Sequence, residues 1–169
     1  LPERIYPLVA SCLAEPIFTV LPENENLQSL PEVIWQKTTA CLIGCGVGLS
    51  DYSKKYIFQL MSNAKVPIIL DADGLNTVAE NIDIIKTVKA PLILTPHPGE
   101  MARLMKTTVQ DVQSHRLEYV RRFSRETGAV VVLKGSGTLI AAPDGKVCYN
   151  PTGNPGMARG GSGDILAGM

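Results

Sequence analysis

The chain has 169 residues, 45% of them apolar, and its 16 basic side chains balance 16 acidic ones. That composition supports a sizeable core in one domain, expected over residues 1–169, and excludes a disordered chain. Without a long run of either charge, neither a nucleic-acid face nor an anionic-membrane face is advertised, which leaves small molecules as the expected ligands.

The first element is an apolar run at residues 40–43 leading into Gly44-Cys45-Gly46-Val47-Gly48, the pattern of a buried strand feeding a glycine-rich turn. Ser50 or Asp51 can then cap a helix reaching about Asn63. A second buried strand at residues 66–70 empties into Asp71-Ala72-Asp73-Gly74-Leu75-Asn76. A short helical stretch at residues 82–88 follows, and Pro91 opens a third strand at residues 92–94. This strand ends in Thr95-Pro96-His97-Pro98-Gly99-Glu100, where two prolines and a glycine predict a sharp, rigid turn.

Val109, Val112, Tyr119, Val120 and Phe123 recur with helical period, and Gly128 closes the segment, so one long helix is expected there. A fourth strand at residues 129–133 runs into Lys134-Gly135-Ser136-Gly137-Thr138. Residues 139–142 and 146–149, joined by Pro143-Asp144-Gly145, read as a hairpin. Strands alternating with helices predict an α/β layered domain with a mostly parallel sheet. Every polar cluster lies at a strand's C-terminal end, where such sheets bind ligands.

The densest of these clusters is Asn154-Pro155-Gly156-Met157-Ala158-Arg159-Gly160-Gly161-Ser162-Gly163-Asp164. Glycines let backbone N–H groups converge, and a helix starting near Gly163 adds its positive dipole end, so Gly161, Ser162 and Gly163 form a candidate anion hole. Asp164 can reach the same point and take the proton from a hydroxyl attacking a phosphoryl group. A lone G-x-G-D string is more often a tight turn with a helix cap. Four glycines within residues 156–163 favour the anion site.

In Lys134-Gly135-Ser136-Gly137-Thr138, a lysine, small residues and hydroxyls can wrap a nucleotide's phosphates; a plain surface loop is the alternative. His97, held between prolines beside Glu100, is read as a ligand contact, whereas His115 is read as structural. Asp71 and Asp73 can be helix or turn caps, the commoner fate, and Asp71 with Asn76 lean towards the substrate or magnesium side. Gly44, Gly46 and Gly48 lack the spacing of a dinucleotide fingerprint and the Lys-Ser/Thr of a P-loop, yet permit close backbone approach to a ligand.

Cys12, Cys41, Cys45 and Cys148 have no CxxC or Cys/His metal spacing. They read as small hydrophobes in a reducing cytoplasm. No apolar run approaches the roughly 20 residues of a membrane-spanning helix. The chain begins at Leu1 without a signal-peptide layout and stops at Met169, five residues after Asp164. Both ends read as cut, so part of a longer polypeptide, with a domain truncated at both ends, is expected.

Taken together, the strings G-C-G-V-G-L-S, L-D-A-D-G-L-N, L-T-P-H-P-G-E-M-A-R-L, V-V-L-K-G-S-G-T-L-I and G-N-P-G-M-A-R-G-G-S-G-D-I-L-A-G resemble, in order and spacing, the ADP/ATP-dependent NAD(P)H-hydrate dehydratases. The resemblance implies a ribokinase-like three-layer α/β/α fold and a hydro-lyase that returns (S)-NAD(P)H hydrate to NAD(P)H. In such enzymes the ring hydroxyl is phosphorylated from ADP or ATP, with Mg²⁺ on the nucleotide phosphates, and phosphate is then lost. Carried over by position, Lys134, Gly135, Ser136, Gly137, Thr138 and Gly163 contact the adenine nucleotide. Gly46, Gly48, His97 and Asp164 contact the hydrated cofactor, and Asp164 is the catalytic base. A homo-oligomer is expected. The competing functions are a ribokinase-like small-molecule kinase, of the hydroxymethylpyrimidine or thiazole type, and a non-catalytic nucleotide-binding module.

Overall fold

The structure is a computed structural model and describes residues 2–21 and 33–169. It comprises two compact units, Leu1–Pro31 and Glu32–Met169. In the first, a 3₁₀ turn at Glu3–Ile5 runs into helix α1, Tyr6–Cys12. Pro7 lies in its first turn, where a missing N–H leaves no bond unmade. Pro2 bridges Leu21 in parallel, and Tyr6 meets Phe18 edge-on with ring centroids 5.8 Å apart.

The second unit begins with the short helix α2, Val33–Gln36, and then follows the expected alternation: β1 Cys41–Ile43, α3 Asp51–Asn63, β2 Ile68–Leu70, α4 Ala72–Glu80, α5 Ile84–Thr87, β3 Leu92–Leu94, α6 Pro98–Leu104, α7 Val109–Ser114, α8 Arg116–Thr127, β4 Val130–Leu133, β5 Thr138–Ala141, β6 Val147–Asn150 and α9 Ser162–Gly168. The sheet runs in sequence order, β1 to β6. The first four strands are parallel, and β5 and β6 close it as an antiparallel hairpin.

Successive right-handed crossovers stepping in one direction deliver the intervening helices to one face of the sheet. Burial bears this out. Ile43, Leu70, Leu94, Val131 and Ala141 are register partners from strand to strand and form one fully packed row. Ile57 and Met61 of α3, Leu75 and Val78 of α4, Met101 of α6 and Val120 and Phe123 of α8 complete that core. Full burial of each such side chain contributes roughly 1.5–3 kcal/mol. On the opposite face Leu42 is 40% exposed, and Ile69 and Ile93 are only partly covered.

Three elements differ from expectation. Helix α4 was not foreseen, because Asp73, Gly74 and Asn76 are weak helix formers. Gly74 is required there by close packing: a Cβ would come within 2.7 Å of Leu70 Cδ1 and 2.8 Å of the Ile43 carbonyl oxygen. The turn after β3 is only the start of α6, since Pro98 sits in the first turn, where helices tolerate it. The single helix expected before Gly128 is broken at His115, whose backbone leaves the helical region (φ −128°, ψ 35°) and whose N–H donates to the Asp111 carbonyl at 3.1 Å. Gly128 ends α8 in the left-handed conformation, as expected (φ 70°).

Candidate active site

Four parallel strands deliver four loops to one edge of the sheet. At its centre the Lys134 Nζ, just past β4, donates to Asp71 Oδ1, just past β2, at 2.7 Å, and lies 3.8 Å from Glu100 Oε2. Asp71 and Glu100 are 1% and 5% exposed, so these charges are held largely away from water. Asp71 occupies the N-cap position of α4 but makes no capping bond; its side chain turns to the lysine instead.

Helix α9 brings Asp164 to the same place. Cys45 Sγ and one carboxylate oxygen each of Asp71 and Asp164 lie within 4.8 Å of one another. Burial pushes the Cys45 thiol up, its hydrogen bond to Asp164 and the charges of Asp71 and Asp164 push it further, to about 11, and Lys134 opposes them. Cys45 is therefore a protonated S–H donor at neutral pH. At Gly163 the backbone comes close to this pair: a Cβ there would stand 3.5 Å from Lys134 Nζ and 4.0 Å from Asp71 Oδ2.

The backbone around Asp164 corrects one expectation. Gly161 takes the left-handed conformation (φ 88°) as N-cap of α9, and the Ser162 N–H donates to the Arg159 carbonyl at 3.2 Å. The Ser162 amide thus closes the turn instead of facing an anion. The first-turn amides of Gly163 and Asp164 have no acceptor within the helix, which leaves them for a ligand.

His97 is more structural than its position suggested. Its Nδ1 accepts from the Gly99 and Glu100 amides at 2.9 and 3.4 Å, while Glu100 Oε2 accepts from the His97 amide at 2.7 Å, a reciprocal cap on α6. Only Nε2 remains for another partner, and it lies 3.5 Å from Glu100 Oε1. On the other flank, the Gly48 N–H donates to Asp73 Oδ2 at 2.9 Å, and Gly46 is exposed with open space beside it.

In the loop after β4, Gly135 and Gly137 both have positive φ, 144° and 65°. A Cβ on Gly137 would come within 2.5 Å of the Tyr149 ring, and one on Gly135 would come within 3.2 Å of Arg116. Arg116 Nη1 and Nη2 donate to the carbonyls of Ser136 and Leu133 at 2.7 and 3.3 Å, and Thr138 Oγ1 donates to the Gly135 carbonyl at 3.0 Å.

A family model described as NAD(P)H-hydrate dehydratase matches residues 9–169. The chain belongs to the NAD(P)H-hydrate dehydratase family. It is 47% identical over 127 residues to a bifunctional NAD(P)H-hydrate repair enzyme of Moorella thermoacetica, covering 75% of this chain and 24% of that protein. To the ADP-dependent (S)-NAD(P)H-hydrate dehydratase of Bacillus subtilis it is 34% identical over 170 residues, covering 99% of this chain and 57% of that one. A crystal structure of the Bacillus subtilis ADP/ATP-dependent dehydratase, co-crystallised with ATP/Mg²⁺, superimposes with a TM-score of 0.78 at 33% identity over 99% of this chain and 57% of that chain. A ribokinase-like superfamily protein of Enterococcus faecalis gives 0.73 at 28% identity over 96% of this chain and 54% of that chain, which places the fold in the ribokinase-like class. The chain thus spans between a quarter and three-fifths of these relatives' lengths.

For a dehydratase-family chain, the expected Lys134, Gly163 and Asp164 do converge. Cys45, and the pairing of Asp71 with Lys134, went unread in the sequence. Asp71 and Lys134 are 63 positions apart in sequence, and nothing local signals their contact. The one available hint was that both directly follow buried apolar strands.

Proposed function

We propose that this chain carries the nucleotide-dependent dehydration of (S)-NAD(P)H hydrate, the reaction named for its relatives. The observation that carries this reading is the convergence of Asp164, at the first turn of α9, on buried Asp71, which is itself paired with Lys134. A base beside a fixed ammonium and outward-facing amides is what phosphoryl transfer to a hydroxyl needs.

In this mechanism Asp164 takes the proton from the hydroxyl on the hydrated nicotinamide ring, and that hydroxyl oxygen attacks the terminal phosphorus of ADP or ATP, whose bond to the bridging oxygen breaks to release AMP or ADP. The Gly163 and Asp164 amides and Lys134 stabilise the transferring phosphoryl group. The C–O bond of the phosphate ester then breaks, phosphate leaves with the former hydroxyl oxygen, and a proton on the neighbouring ring carbon passes to solvent, restoring the double bond. Residues 134–138 hold the nucleotide, while Gly46, Gly48 and the Nε2 side of His97 hold the hydrate.

Mg²⁺ suits the donor set in one respect: it takes hard oxygen ligands, and Asp71 Oδ2 faces Gly163 whereas the protonated Cys45 thiol is no ligand for it. Asp71 would hold the ion against the nucleotide phosphates, where it supplies charge neutralisation.

The test is recovery of the reduced-nicotinamide absorbance from hydrated NADH with ADP or ATP. Asp164→Asn should lower kcat by roughly 10²- to 10⁴-fold and keep nucleotide binding. Phosphorylation of the hydrate without loss of phosphate would favour a kinase, and nucleotide binding with no turnover in wild type or variant a non-catalytic nucleotide-binding module. A cytoplasmic location and a homo-oligomer are part of the same proposal. Supporting the first are four free cysteines, and no helix among the described residues is long and apolar enough to cross a membrane. For the second, the support is exposed apolar side chains at Leu42, Ile165 and Leu166, and light scattering checks it.

A further inference from the structure

Beside the glycine turn that follows β1 lies a groove of about 570 Å³ lined by Leu49, Asn76, Ala79, Glu80 and Arg103. Its side chains are wired to the two loops proposed to hold the hydrate. Arg103 Nε donates to Asn76 Oδ1 at 2.8 Å, Asn76 Nδ2 donates to Asp73 Oδ1 at 3.4 Å, and Asp73 Oδ2 accepts the Gly48 N–H at 2.9 Å. On its other side Arg103 reaches the His97 turn: a Cβ on Gly99 would stand 3.9 Å from Arg103 Nη1 and 2.8 Å from His97 Cε1.

Arg103 thus has one donor, Nε, fixed on Asn76. Among the described residues its Nη groups take no hydrogen bond or ion pair. A guanidinium oriented through one nitrogen with its remaining donors outward is the geometry that grips a phosphate by two parallel bonds. The nearby Lys54 offers no substitute, because its Nζ is paired with Glu80 at 2.8 Å.

We propose that Arg103 binds the pyrophosphate of the hydrated dinucleotide and that the groove beyond it takes the adenosine half. This rests on the hydrated cofactor being the substrate. With the nicotinamide ring between His97 and Asp164, the pyrophosphate comes one ribose further out, and two negative charges there need a cation. Leu49 and Ala79 give the groove apolar surface for a purine, and Asn76 gives it a polar edge. The binding energy is gathered away from the reacting centre, so losing it weakens substrate capture and spares chemistry.

The experiment compares wild type, Arg103→Ala, Arg103→Lys and Asn76→Ala in the full-length protein. It reads kcat and KM for NADH hydrate, NADPH hydrate and ADP, with direct binding of NADH followed by its fluorescence. Arg103→Ala should raise KM for both hydrates by about 10- to 100-fold, the range for a lost charged hydrogen bond, and weaken NADH binding to match. Its kcat and its KM for ADP should stay near wild type, Arg103→Lys should recover part of the loss, and Asn76→Ala should cost much less.

Unchanged hydrate KM in Arg103→Ala would overturn the assignment. So would a loss confined to NADPH hydrate, which points to the 2′-phosphate, or an equal loss in Asn76→Ala, which makes Arg103 a mere prop. Should wild type turn over neither hydrate, the dehydratase reading fails. NADH binding still judges Arg103 on its own: weaker binding in Arg103→Ala upholds the pyrophosphate contact, and equal binding removes it.

Discussion

Asp71 and Lys134 face each other at 2.7 Å with side-chain exposures of 2% and 17%, so neither charge can be removed alone without stranding the other in a low-dielectric setting. Lys134→Met should cost about 3–5 kcal/mol in urea unfolding, and adding Asp71→Asn should return part of that loss. Cys45 gives a second residue-scale expectation. Its thiol is raised from 9.0 to about 11 in the folded chain, chiefly by burial and next by Asp164. Alkylation mapped by mass spectrometry near pH 8 should therefore label exposed Cys12 and Cys148 well before Cys45. The stability that follows from this shift is fully present below pH 9. Between pH 9.0 and about 11 the unfolded thiol ionises while the folded one keeps its proton, so unfolding becomes easier across that window. Cys45→Ser should flatten this alkaline fall.

At the scale of elements, α6 depends on a cap in which one residue has two jobs. His97 closes the first turn through Nδ1, and its Nε2 is the group left for substrate. Asparagine is a good N-cap without an imidazole, so His97→Asn should keep thermal stability within about 1 kcal/mol while raising KM for the hydrate; His97→Ala should lose both. Gly74→Ala separates propensity from packing. Alanine favours a helix by about 1 kcal/mol, yet its methyl would collide with Leu70 and the Ile43 carbonyl. A net destabilisation of about 1–3 kcal/mol in urea unfolding is expected, because contact with a rigid strand outweighs propensity.

The same elements explain what could be read in advance. Strands β1 to β4 were legible because apolar runs ending in polar clusters mark the buried strands of a parallel sheet, and Ser50 marked the start of α3. Helices α4 and α6 were not, because Gly74, Asn76, Pro98 and Gly99 look like breakers until the strands behind them are in place. The break at His115 was hidden for the opposite reason, an apolar period that continues through it into α8.

For the whole molecule, the candidate site is an edge assembled from five separate stretches of chain, and a ligand that bridges them should tighten all of them. ADP with Mg²⁺ at about 100 times its Kd should stabilise the folded chain by about 2.7 kcal/mol, read as a rise in Tm. Asp164→Asn should keep that rise, since the amides and Lys134 remain, whereas Lys134→Met should lose most of it.

The sequence by itself determined the parallel strands, the edge on which their polar ends collect, and the glycine-rich approach to Asp164. These follow from period, turn chemistry and strand direction, all local to a few residues. Only the tertiary structure decided that Asp71 pairs with Lys134, that Cys45 lies beside Asp71 and Asp164, that the Ser162 amide turns inward, and that Arg103, held through Nε by Asn76, lines a groove. Each depends on where distant strands end relative to one another, and that relation is fixed by sheet register and core packing, which no short window of sequence contains.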